Sequence, residues 1–157
     1  MYLVIVLLSA LLLTSDSASG QSVPCAVTTP NQKSAPEQRS NDAYGSNALS
    51  VSLPWPDGTV VFRPGGPGFV LSDGALSMKF GWDRRVQGSL VIDGRRLDGP
   101  APPLRSNIPS GYGDIGFQST ALIFPTTGCW AVTGRVGMES LTFIARVTKI
   151  GDGPGAH

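Results

Sequence analysis

The chain has 157 residues with 20 Gly, 13 Pro, a charged fraction of 15% and a formal charge of +1 at pH 7, which is length enough for one domain with a proper core and too little for two comfortable ones. Scattered basic residues on a near-neutral chain offer no concentrated cationic face for nucleic acid or an anionic membrane surface. Short apolar runs separated by Gly and Pro exclude a mainly helical protein and point to an all-β domain of many short strands.

Residues 2–13 read YLVIVLLSALLL, followed by TSDSASGQ. An apolar run this short matches the h-region of a signal peptide and falls short of the roughly 20 residues of a membrane-spanning helix. Ala18 and Gly20 supply the small residues for cleavage after Gly20, so residues 1–20 are predicted to be a signal peptide. The segment before the apolar run has neither Lys nor Arg, which leaves a retained N-terminal anchor as the competing reading. Lipoprotein anchoring fits poorly: Cys25 follows Pro24 and stands well past the end of the apolar run at Leu13.

Export gives the two cysteines a natural use. Cys25 and Cys129 are predicted to form a disulfide, and closing a loop of that size is worth about 4–5 kcal/mol in the chain-entropy model. Two free thiols are the alternative if the chain is not exported. Residues 21–47 show neither a helical nor a strand period and are expected to form an extended strap or linker on the surface, tethered by Cys25. The β domain proper is expected over 48–150, with a flexible tail over 151–157.

Leu49, Val51 and Leu53 alternate with Ser50 and Ser52, the period of a half-buried strand. A Pro-Trp-Pro-Asp-Gly turn over 54–58 and a strand over 59–62 complete an expected hairpin. Another turn over 63–68, a short strand over 69–71 and Asp73-Gly74 come next. Residues 75–82 alternate again, with Leu76, Met78, Phe80 and Trp82 on one face. Leu90-Val91-Ile92, Asp93-Gly94 and residues 95–97 suggest one more hairpin. The Pro-rich stretch 99–109 cannot join a central ladder and is expected to cross between sheets.

Residues 117–124, the Pro125-Thr126-Thr127-Gly128 turn, and residues 129–136 form the most regular unit. Gly128 is read as the position in that turn that needs a left-handed residue. The chain turns again over 137–140 into a strand over 141–150, in which Phe143, Ala145 and Val147 share one face. This pattern predicts a single two-sheet antiparallel β-sandwich, Ig-like in architecture but not a true immunoglobulin domain, because Trp130 adjoins Cys129 and alternation sends their side chains to opposite faces.

Residues that could do chemistry are sparse. The single histidine is His157, the last residue, a poor place for a catalytic base or a metal ligand. With both cysteines paired, no zinc site is expected. Asp57, Asp73, Asp93, Asp98 and Asp152 all precede Gly, a turn-forming pair before it is an acid/base pair. Residues 111–116 satisfy GxGxxG, but no helix is predicted after them to complete a phosphate site. The pairs Arg84-Arg85 and Arg95-Arg96 are read as solvated faces. Aromatic residues give the main binding signal: Trp55, Trp82 and Tyr112 lie in or beside turns, where rings can stack on sugars or seat a partner, or else close the ends of the core.

The segment FPTTGCWAVTGRV over 124–136, the preceding Gly-Tyr-Gly-Asp-x-Gly-Phe, and WPDGTVVFRPGGPG over 55–68 together resemble a group of short exported hypothetical proteins of bacteria. The likeness covers most of the chain from Cys25 onward. It implies an exported or cell-envelope domain and supplies no catalytic residue. The resulting expectation is a non-catalytic β-sandwich with a binding or structural role at the envelope, its partner an envelope protein or a glycan, with no cofactor, metal, nucleic acid or membrane span in the mature chain. A carbohydrate-binding module using Trp55, Trp82 or Tyr112 is the first alternative, and a carboxylate-dependent hydrolase the second.

Overall fold

The structure is a computed structural model and describes residues 24–32, 42–55 and 57–155. The expected signal peptide, much of the strap and His157 lie outside the described residues. Among those described, the protein is all-β. Its ten strands are β1 (Ala43–Gly45), β2 (Leu49–Ser52), β3 (Thr59–Phe62), β4 (Phe69–Val70), β5 (Leu76–Arg84), β6 (Val91–Arg96), β7 (Arg105–Asn107), β8 (Gly116–Phe124), β9 (Gly128–Val136) and β10 (Glu139–Lys149).

They form two sheets. The larger runs β1-β2-β5-β8-β7, with β4 beside β2 on the same edge of β5, and the smaller runs β3-β10-β9-β6. Alternation decides the inner faces. Leu76, Met78, Phe80 and Trp82 of β5 and Leu122 and Phe124 of β8 are buried, as are Trp130, Val132 and Val136 of β9 and Leu141, Phe143, Ala145 and Val147 of β10. The two sets meet in one core: Phe80 stacks on Phe143 at 5.6 Å, and Phe124 meets Trp130 edge-on at 5.8 Å, separations at which aromatic pairs add to burial.

Several expected hairpins are instead passages between sheets. The turns after β2 and after β8 carry the chain from the larger sheet to the smaller. A strand that changes sheet is not constrained to run antiparallel to its new neighbour, and β3 pairs parallel with β10, which corrects the expectation of antiparallel pairing throughout. Asp93-Gly94 is not a turn: both residues lie inside β6. Gly94 is small because Leu104 of the crossing segment lies on it, where a Cβ would come within 3.1 Å of that side chain. The Pro-rich stretch does cross between sheets, and its end adds β7 to the edge of β8.

The strap is more integrated than a linker. Cys25 and Cys129 are bonded, with Cα atoms 5.5 Å apart. Thr28 exchanges hydrogen bonds with Ile144, its N–H to the carbonyl and its hydroxyl from the amide, both 2.8 Å. Gln32 then bridges to Ala43 of β1. The strap thus touches an edge of each sheet, and it covers Cys129, which points away from Trp130 as alternation requires. No helix among the described residues is long and apolar enough to cross a membrane.

Candidate functional site

With even-numbered positions of β5 turned inward, Ser77, Lys79, Gly81 and Asp83 project from the outer face of the larger sheet, and the β5–β8 register sets Ile123, Ala121, Ser119 and Phe117 beside them. The middle of this face pairs Gly81 with Ser119 and the exposed Lys79 with Ala121. Aromatic rings stand at its two ends. Phe69 of β4 lies opposite Ser77 and Phe117 of β8 opposite Asp83, two rows roughly 20 Å apart at the rise of an extended strand.

At the first end, Trp55 is half-buried, its ring 5.2 Å from that of Phe80. Together with Phe69, Pro67, Met78, Lys79 and Ala121 it lines a cleft of about 540 Å³. The cleft exists because β2 and β4 cover different parts of the same edge of β5, pairing with its residues 82–84 and 76–77 respectively. The backbone at Lys79 falls between them.

At the second end, Phe117 is 59% exposed and lies across Gly81, where a Cβ would come within 2.6 Å of the phenyl ring. Tyr112 meets Phe117 edge-on at 6.5 Å. A face with rings at both ends suits flat or chain-like ligands, because the rings offer stacking surface and Ser119, Lys79 and Asp83 offer polar groups at the same level.

Of the aromatic residues singled out from the sequence, Trp55 and Tyr112 therefore flank this face at opposite ends. Trp82 does not. It is fully buried, donates from Nε1 to the Thr120 hydroxyl at 3.1 Å, and packs against Phe143, which corrects its reading as a ligand-facing ring. Its phase within β5 is the cause, since it alternates with Leu76, Met78 and Phe80. Phe69 and Phe117 are the outer-face rings that sequence reasoning passed over. The signal for Phe117 was the same alternation: Leu122 and Phe124 point inward, so position 117 points out.

The Asp-Gly aspartates serve local structure. Asp57 accepts the Thr59 N–H at 3.0 Å, and Asp73 accepts the Ala75 N–H at 3.0 Å and an Arg105 N–H at 2.6 Å. Asp93 pairs with Arg135 across β6 and β9. The hydrogen bond from Ala75, then Arg105, holds the Asp73 carboxyl below its ordinary range. Burial pushes the Asp98 carboxyl up, but the Arg96 hydrogen bond at 2.7 Å and the Cys129 amide outweigh it and leave it low. These are the shifts of carboxylates kept ionised by donors, opposite to that of a proton-donating acid. Among the described residues, no three His, Cys, Asp or Glu side chains gather as a metal site.

The GxGxxG stretch is a loop that enters β8 directly. Gly111, Gly113 and Gly116 all have positive φ, and the loop is held from inside by Arg84, whose Nη2 donates to the carbonyls of Tyr112 at 3.4 Å and Gly113 at 2.9 Å. Arg84 is 1% exposed, which corrects its reading as half of a solvated pair; Arg85 beside it points outward and meets Asp83.

No protein-family model, curated protein or solved structure matches this chain.

Proposed function

We propose that the chain is an exported, non-catalytic β-sandwich of Ig-like architecture that works as a binding module at the bacterial cell envelope, in keeping with the short exported bacterial proteins it resembles. The observation that carries this reading is the outer face of the larger sheet, on which Gly81, Ser119, Ala121 and Lys79 lie between Trp55 and Phe69 at one end and Tyr112 and Phe117 at the other. Apolar rings left exposed in this arrangement cost solubility unless something covers them. The Cys25–Cys129 disulfide supports an oxidising compartment, since such bonds persist outside the reducing cytosol.

The direct test is cross-linked pull-down from the native envelope with wild type and with a Phe69→Ala, Phe117→Ala double variant. Capture of a partner by wild type and its loss in the variant is expected; equal capture by both removes the outer face from the function. A second reading, a carbohydrate-binding module, is favoured by the spacing of the two aromatic ends, which accommodates an extended oligosaccharide. A glycan array probed with wild type, Trp55→Ala and Phe117→Ala decides it, and an array on which wild type binds nothing removes it.

A further inference from the structure

Arg84 is the last residue of β5 and falls in its inward phase, so its guanidinium enters the interior at the end of the two sheets. Nη1 donates to the Gly88 carbonyl at 3.2 Å and Nη2 to the two loop carbonyls, while Nε has no partner. None of the ion pairs among the described residues includes Arg84. The described partners of this buried guanidinium are therefore backbone carbonyls. Such a charge is costly to bury unless an anion meets it.

Gln118, one strand over and also in the inward phase, is 6% exposed. Its Nε2 donates to the Pro109 carbonyl at 3.0 Å, and its Oε1 has no partner. Both side chains line one cavity of about 330 Å³, walled also by Ser89, Pro109, Tyr112 and Asp114. That volume is at the small end of ligand pockets, which run from roughly 300 to 1,000 Å³. Buried polar atoms without partners are uncommon, and here the two residues that carry a cationic donor and a neutral acceptor of that kind line the same cavity, the two atoms themselves lying just behind its wall.

One wall of this half-open cavity is the loop 110–115. Among the described residues the loop makes no backbone–backbone hydrogen bond, and its described attachments are the Arg84 guanidinium on the inside and the Tyr112–Phe117 ring contact on the outside. A small shift of this loop would deepen the cavity as far as Arg84 and Gln118 without breaking a strand ladder, and would exchange the carbonyl partners of Arg84 for those of an incoming ligand.

We propose that this cavity binds a small organic acid carrying a hydroxyl or amino group on the carbon next to its carboxylate, taken up beneath the loop 110–115. The carboxylate accepts from Arg84, and the neighbouring hydroxyl or amine donates to Gln118 Oε1. The site is separate from the outer face of the sheet and stands or falls independently of it.

The test uses the oxidised protein, ¹⁵N-labelled and titrated with lactate, alanine and propionate, three molecules of nearly one shape that carry a hydroxyl, an amine or neither. Saturable amide shifts confined to residues 84–90 and 108–118 are expected for lactate or alanine, with affinity about tenfold above propionate, the worth of one hydrogen bond to a charged or buried partner. Which of the two binds tells the hydroxyl ligand from the amine. Gln118→Leu should erase that preference while leaving weak carboxylate binding, and Arg84→Lys should weaken all three. Absence of saturable shifts with every probe up to about 50 mM, well past the weakest useful affinity, overturns the proposal. So does a preference that survives Gln118→Leu, which decides the matter alone if the Arg84 variant does not fold.

Discussion

The indole of Trp82 occupies the space that a side chain at Gly134 would need: a Cβ at Gly134 would lie 2.6 Å from the ring's Cη2. The two residues belong to different sheets, Trp82 to β5 and Gly134 to β9, so this is where the sheets approach through a ring laid on bare backbone. Gly134→Ala is expected to overpack the core and cost about 1–3 kcal/mol. Trp82→Phe removes the obstructing ring atoms, and the double variant should be more stable than the sum of the single losses by at least about 1 kcal/mol. Urea unfolding of the four proteins measures this directly; strict additivity would mean that the glycine is not required by the indole.

The disulfide spans a sequence separation of 104 residues, large enough for a substantial effect on the unfolded chain. Replacing both Cys25 and Cys129 by Ser is expected to lower the unfolding free energy by about 2–5 kcal/mol. Denaturant curves of the variant, and of wild type with and without reductant, check it. Loss of the bond should also speed hydrogen exchange at Ile144, whose amide is held by Thr28 of the strap.

Gly81→Ala separates surface architecture from stability. The new methyl would meet the Phe117 ring, which is exposed and free to swing aside, so the expected stability change is within about 1 kcal/mol. The aromatic proton shifts of Tyr112 and Phe117 should nevertheless move, since their edge-on contact depends on where that ring lies. Unchanged ring shifts would mean that the phenyl does not rest on Gly81 in solution.

Asp73 and Asp98 make the acid limb of the stability curve predictable in sign. Both carboxyls titrate below the ordinary value of 3.8 in the folded protein, so their contributions are complete above that value and are lost as pH falls through the lowered one. Stability should therefore decline from about pH 5 to pH 2, and less steeply in Asp98→Asn than in wild type. Thermal unfolding at a series of pH values reads the slopes; an unchanged slope in the variant would remove the Arg96 pair from the account.

Gly128 ties that ion pair to the chain. It has φ +139°, and a Cβ there would fall 2.8 Å from the Asp98 carboxylate. Gly128→Ala is expected to cost about 1–3 kcal/mol through backbone strain and the displaced pair, and to flatten the acid limb as Asp98→Asn does.

Strand phase was the most legible property of this chain. The alternation over 49–53, 75–82 and 141–149 identifies the inner face in each case, and the two cysteines of a chain expected to be exported identify each other. Local sequence does not encode destination. A Pro-Thr-Thr-Gly or Pro-Asp-Gly turn reverses the chain equally well into the same sheet or the opposite one, so the passages after β2 and β8 read as hairpins. Glycine was ambiguous for a related reason. Gly94, Gly81 and Gly134 accommodate Leu104, Phe117 and Trp82, side chains distant in sequence, and nothing beside those glycines announces the visitor. Trp82 and Arg84 were misread where a neighbouring turn or a second arginine outweighed the phase that their own strand had already set.

The staple between Cys25 and Cys129 also fixes how the protein responds to being pulled. Tension applied between the chain's two ends enters the fold through the sulfur bridge and passes straight to β9. The chain between the two cysteines, which would extend by roughly 350 Å at full stretch, carries none of it. Under load the segment from β1 to β8 is bypassed covalently, although it shares its core with β9 and β10. A pull on the bridged chain can therefore lengthen it after Cys129 alone, however far the fold has come apart.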